Sequence, residues 1–125
     1  MEHKVYYDDK NEIVRIDVIG VIEEEDPQEM NREFLKTLEG KPYKQLLIDL
    51  KKSDPQGGHN ERRKQLYDAV ADAGFEDVAL FGTTSASRLV VKVIIKLGTM
   101  GKRKMNIEFF KNEEESISWL KEMRK

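Results

Sequence analysis

Two stretches of this sequence hold residues whose types and spacing could do chemistry. The first is a loop, Lys51-Lys52-Ser53-Asp54-Pro55-Gln56-Gly57-Gly58-His59-Asn60, which offers a serine and a histidine, Ser53 and His59. A loop histidine after a strand has the proton affinity of a general base. It also needs an aligned carboxylate and a substrate, and Asp54, Asn60 and Glu61 form no recognisable triad spacing around it. The simpler reading is an exposed loop histidine; His3, on a frayed N-terminus, is expected to have no functional role. No catalytic residue is assigned.

The second stretch runs from Gly82-Thr83-Thr84-Ser85-Ala86-Ser87 into Arg88 and Leu89-Val90-Val91-Lys92-Val93-Ile94-Ile95-Lys96-Leu97. Hydroxyls and free amides at a helix start can hold an anion, or can simply cap the helix. The glycines and lysine of a phosphate-binding loop are missing, as is dinucleotide-fingerprint spacing. The helix expected here is apolar nearly all round, yet Arg88, Lys92 and Lys96 lie four apart and make one basic stripe. Such a helix must bury most of its circumference, against a neighbouring helix, a partner chain or an acyl chain. The candidate binding residues are therefore Ser85, Ser87, Arg88, Val91, Lys92, Ile95 and Lys96, the cations meeting an acidic partner or anion and Val91 and Ile95 supplying apolar contact. At nine residues the apolar run is too short to cross a bilayer, and no integral membrane segment is expected.

The acidic runs Glu23-Glu24-Glu25-Asp26 and Glu113-Glu114-Glu115 are read as complements to positive helix N-termini rather than as cation sites. With two histidines and no cysteine, neither a transition-metal site nor another cofactor is expected. The lack of cysteine also excludes disulfides and thiol catalysis.

The 125 residues are expected to form one domain, 1–125, able to bury a core without staples. A composition of 38% hydrophobic and 37% charged residues is that of a soluble globular protein. The N-terminus shows no signal-peptide pattern, so the cytoplasm is the expected location. A formal charge of −2 gives no general attraction to nucleic acid. The charge is nonetheless segregated. No acidic residue lies between Val78 and Ile107, where Arg88, Lys92, Lys96, Lys102, Arg103 and Lys104 cluster without interleaved aromatics.

The positioning elements follow from periodicity. Val5-Tyr6-Tyr7 and residues 12–22 read as two strands flanking the turn residues Asp8-Asp9-Lys10-Asn11, a hairpin. Asp26-Pro27 is a helix start with Asp26 as the cap, and Met30, Phe34, Leu35 and Leu38 recur on one stripe up to Gly40. Leu46-Leu47-Ile48-Asp49-Leu50 and Val78-Ala79-Leu80-Phe81-Gly82 read as buried parallel strands. Between them a helix from about Asn60 carries Leu66, Ala69, Val70 and Ala73 and stops at Gly74. A further helix over 83–97 and a strand over 105–110 precede a last helix, capped by Asn112, with Ile117, Leu120 and Met123 inward. This ββαβαβαβα order predicts an α/β fold: a five-stranded, mostly parallel sheet with an N-terminal β-hairpin and four helices.

Several of these stretches resemble the SpoIIAA-like family, related to STAS domains and grouped with the CRAL-TRIO lipid-binding fold. They are Gly20-Val21-Ile22 before the acidic run, Leu47-Ile48-Asp49-Leu50, Val78-Ala79-Leu80-Phe81-Gly82, and most specifically the ending Phe109-Phe110-Lys111-Asn112-Glu113-Glu114-Glu115-Ser116-Ile117-Ser118-Trp119-Leu120. The resemblance implies a non-catalytic regulatory or interaction module, with a protein partner or self-association. Its link to lipid binders keeps a small amphiphilic or anionic ligand as an alternative. In STAS antagonists of anti-sigma factors a serine after this loop is phosphorylated. Counted from Asp49, that serine would fall on Gly58 or His59, and Ser53 comes about five residues early, so the phospho-switch alternative is disfavoured.

Overall fold

Five short apolar segments join into one sheet, in the order β1 (Lys4–Asp8), β2 (Ile13–Asp17), β3 (Gln45–Asp49), β4 (Asp77–Phe81) and β5 (Asn106–Phe110) from edge to edge. The structure, a computed structural model, describes residues 1–54, 60–82 and 105–124. Strands β1 and β2 pair antiparallel, Tyr6 opposite Arg15, and the remaining neighbours are parallel. The hairpin turn is closed by Asp8, whose carboxylate accepts from the backbone N–H of Asn11 at 3.1 Å and from its side-chain amide at 2.9 Å. Parallel pairing needs crossovers, and helices α1 (Asp26–Leu38) and α2 (Asn60–Ala73) supply those from β2 to β3 and from β3 to β4. A third helix, α3 (Glu113–Met123), follows β5. This is the expected α/β architecture with its N-terminal hairpin; the helix expected over 83–97 lies outside the described residues.

The sheet is covered on both faces. On one, Val14, Ile16, Leu46, Ile48, Val78 and Leu80 meet Met30 and Phe34 of α1 and Val70 and Ala73 of α2, with Phe75 edge-on to Phe34 at 5.3 Å between ring centres. On the other, Ile13, Leu47, Ala79 and Phe81 meet Leu120 of α3. The expected stripe of α2 is the buried one, and Gly74 ends the helix in the left-handed conformation, φ +92°.

Three expectations about local structure are corrected. The second strand stops at Asp17 rather than running to 22, because beyond it the chain leaves regular pairing and is joined to the end of β3 and its loop by single hydrogen bonds and an isolated bridge between Gly20 and Ser53. Asp26 lies within the helix and does not cap it: its carboxylate accepts from the backbone N–H of Glu23 at 2.8 Å, closing the turn before α1. Leu35 of α1 and Met123 of α3 face outward, 51% and 37% exposed, since Met30 with Phe34 and Ile117 with Leu120 already fill the inner faces. Asn112, by contrast, caps α3 as expected, accepting from the Glu115 N–H at 2.9 Å.

Candidate functional site

Loops at the carboxyl ends of parallel strands are where open α/β sheets usually place ligands, so that edge is the first place to look. The loops after β2, β3 and β4 are drawn together there by backbone hydrogen bonds. Val18 donates to the Asp49 carbonyl at 3.0 Å, Gly20 to Lys52 at 2.8 Å and Leu50 to Phe81 at 2.9 Å. Gly82 is required by the closeness of this packing: a Cβ there would sit 2.8 Å from the Lys51 backbone nitrogen, and φ is +90°. Asp49 accepts from the Lys51 N–H at 2.9 Å and lies 3.7 Å from its ammonium group, which rests over the Phe81 ring. The Ser53 hydroxyl donates to the Leu50 carbonyl at 2.8 Å. Both side chains shape a turn, and no base is aligned on Ser53 among the described residues. His59, Ser85, Ser87, Arg88, Val91, Lys92, Ile95 and Lys96 lie outside the described residues.

His3 overturns the expectation of a frayed N-terminus. It is only 5% exposed; its Nδ1 accepts from the backbone N–H of Ile19 at 2.9 Å, and its Nε2 lies 3.0 Å from the Asp26 carboxylate. The β1–β2 register, with Lys4 opposite Asp17, carries the ring to the start of the loop that leads into α1. A histidine and aspartate in contact resemble half of a catalytic triad, but here the Nδ1 lone pair is occupied by a backbone amide. No lone pair is left to take a substrate proton, and the pair acts as a staple between the N-terminus and α1.

Arg15 is the second buried ionisable group that its neighbours in sequence did not announce. From β2 it reaches the start of α3, where Nη1 donates to Glu113, and it lies 3.6 Å from Asp8. Burial pulls its pKa down, but Glu113, Tyr6 and Asp8 together hold it above the ordinary arginine value. The Tyr6 phenol, beside it, is also held high, first by burial and further by the Asp17 carboxylate that accepts its hydrogen bond.

A polar network fixes the other end of α3. Gln45 donates to Asp77 at 3.1 Å and to the Leu120 carbonyl at 2.6 Å, while its own oxygen accepts from Arg124 Nε at 2.8 Å. Arg124 continues to the carbonyls of Asn11 and Glu12 at 2.7 and 2.9 Å and lies over the Tyr43 ring at 4.0 Å. Asn106 completes the set by donating to Asp77 at 3.0 Å.

Held at both ends, α3 forms an open groove of about 570 Å³ along its outer side, lined by Phe110 of β5 and by Asn112, Glu114, Glu115, Ser118, Trp119 and Glu122. The half-buried Trp119 and Phe110 rings meet at 5.5 Å. Glu114, Glu115 and Glu122 are exposed, and their carboxylates make no hydrogen bond or ion pair among the described residues. No group of three His, Asp or Glu residues among those described is arranged to hold a metal ion. No described helix is long and apolar enough to cross a membrane.

No family model matches the sequence, and no curated protein matches it. Solved structures do. One is an uncharacterised protein of the DUF3478 family with a SpoIIAA-like fold from Shewanella loihica PV-4, 17% identical, covering 94% of this chain and 93% of that chain with a TM-score of 0.68. Another is the anti-sigma factor antagonist SpoIIAA in its unphosphorylated form, 10% identical over 95% of this chain and 97% of that one, TM-score 0.58. The chain has a SpoIIAA-like fold. At such identities the likeness concerns the path of the backbone, and chemistry has to be argued from this chain's own side chains. Within the SpoIIAA-like frame, the nearest hydroxyl after β3, Ser53, is committed to its turn, and the positions counted for the switch serine hold Gly58 and His59, outside the described residues.

Proposed function

We propose that this chain is a cytoplasmic, non-catalytic interaction module, one domain that works by binding a protein partner across its surface. The observation that carries this reading is the groove on α3, where half-buried rings and uncommitted carboxylates stand together at the surface. Among the described residues, the groups best suited to catalysis are committed to partners within the fold: both His3 nitrogens are engaged, Arg15 is held by Glu113, and the Ser53 hydroxyl is spent on a carbonyl. Surface aromatic residues with an apolar body and a polar edge are typical anchors of protein interfaces. The SpoIIAA-like fold, which one neighbour uses as an anti-sigma factor antagonist, is compatible with such a role.

The test is site-directed photo-crosslinking in cells. A photoreactive residue at Ser118, in the groove, is expected to yield one dominant polypeptide adduct, and the same residue at exposed Lys36 on α1 is expected not to. Equal adducts from both positions, or a small-molecule mass carried by the purified protein and removed by organic solvent, would defeat the reading.

A further inference from the structure

The carboxylates around Trp119 are more numerous than the helix needs. Acidic residues in the first turn of α3 complement its positive end, which accounts for Glu113, Glu114 and Glu115. Glu122 is in the last turn, where the helix favours cations, so helix stability does not explain it. Glu115 and Glu122 stand four residues before and three after Trp119, which places them beside the indole on one face of the helix. Glu113 is committed to Arg15, whereas Glu114, Glu115 and Glu122 keep their charge for solvent.

We propose that this groove receives a basic, arginine-bearing segment of a partner protein, a guanidinium stacking on Trp119 between the carboxylates of Glu115 and Glu122. The inference rests on the interaction-module reading and names the chemistry of the partner. Arginine suits the site because its flat cation both stacks on an indole and pairs with carboxylates through paired donors. The groove is open, so a small cation would keep most of its water; a peptide segment adds contacts along Phe110 and Ser118. The rim of negative charge repels acidic partners and phosphate backbones.

Trp119 is the only tryptophan, so its fluorescence reports on the groove directly. The probe is a capped peptide of alternating arginine and glycine, titrated into the full chain. A saturable change in emission is expected, weakened by salt and weakened about fivefold or more in Glu115→Gln/Glu122→Gln, a surface variant that should keep the wild-type circular dichroism. The proposal fails if emission does not saturate, if a glutamate–glycine peptide acts equally, or if the double variant binds as well. Spermine matching the peptide would assign the site to small cations instead. Self-association in sedimentation, abolished by the double variant, would assign it to a second copy of this chain. If the peptide fails while the Ser118 crosslink still captures one polypeptide, only the partner's chemistry is lost; if both fail, the module reading falls too.

Discussion

The two faces of the sheet are built on different principles. Under α1 and α2 every inward strand position is apolar, from Val14 and Ile16 through Leu46 and Ile48 to Val78 and Leu80. Under α3 the apolar residues Ile13, Leu47 and Ala79 share the face with Arg15, Gln45 and Asp77, all largely buried. The first face gains from area removed from water, which is non-directional and tolerates small shifts of the helices. The second gains from hydrogen bonds that are satisfied in one arrangement only, and an unmatched partner there is costly. The contrast teaches where position matters: α3 is held in register by Arg15 at its start and by Gln45 and Arg124 at its end. The Trp119 groove inherits that fixed geometry.

The sharpest way to break the comparison is to cut into the apolar face. Phe34 is fully buried and packs on Phe75, so Phe34→Ala is expected to cost about 3–5 kcal/mol, read from the urea midpoint. This is a large part of the stability of an ordinary domain. A cost near that of a surface change would mean that the face is not packed as described.

Gln45→Ala tests the polar face. It removes the link between Asp77, the Leu120 carbonyl and Arg124, and costs each of them one hydrogen bond, for an expected loss of about 1–3 kcal/mol. Because the network positions α3, Trp119 emission should also shift in the folded variant. Phe34→Ala should leave that emission unchanged under conditions where it is folded. If both variants shift it alike, the two faces are not independent.

These partnerships were the part of the structure least visible in the sequence. The strands and α2 announce themselves through continuous apolar runs and a regular stripe, signals contained within one element. Arg15 and Glu113, Gln45 and Arg124, and His3 and Asp26 are single polar residues far apart in the chain, and nothing in local spacing links them. Of the groove, the Trp119 and Glu113-Glu114-Glu115 stretch was prominent as a family-like ending, but its role as a surface emerges only when Phe110 of β5 lies beside it. The basic stripe at Arg88, Lys92 and Lys96, conspicuous in the sequence, lies outside the described residues.

A smaller effect tests the electrostatics at the hairpin end of the polar face. Burial would raise the Asp8 carboxyl, but the Asn11 donors and the charge of Arg15 outweigh it and hold the group below its ordinary value. A depressed folded-state pKa means that folding favours the carboxylate. The contribution is therefore complete above the unfolded value, about 4, and is lost as pH falls through the lower folded value. Asp8→Asn should be less stable than the parent near neutral pH, by about 1 kcal/mol or less, and the gap should close in that acid window. Urea midpoints of both proteins against pH decide it; a gap that stays constant would place the acid sensitivity in other carboxylates.

The smallest expected effect concerns the neighbour of the largest. Leu35 follows Phe34 directly and shares its apolar character, yet one residue of helix turns the side chain about 100° away, and it is 51% exposed where Phe34 is buried completely. Leu35→Gln should therefore change stability by no more than about 0.5 kcal/mol. The helix itself loses little by the exchange, since leucine and glutamine have similar helix propensity. A cost of several times that size would mean that the outer flank of α1 is covered in solution, and a loss of cost on dilution would identify the cover as a second copy. The apolar packing on the α1 side would then extend past the helix to an interface.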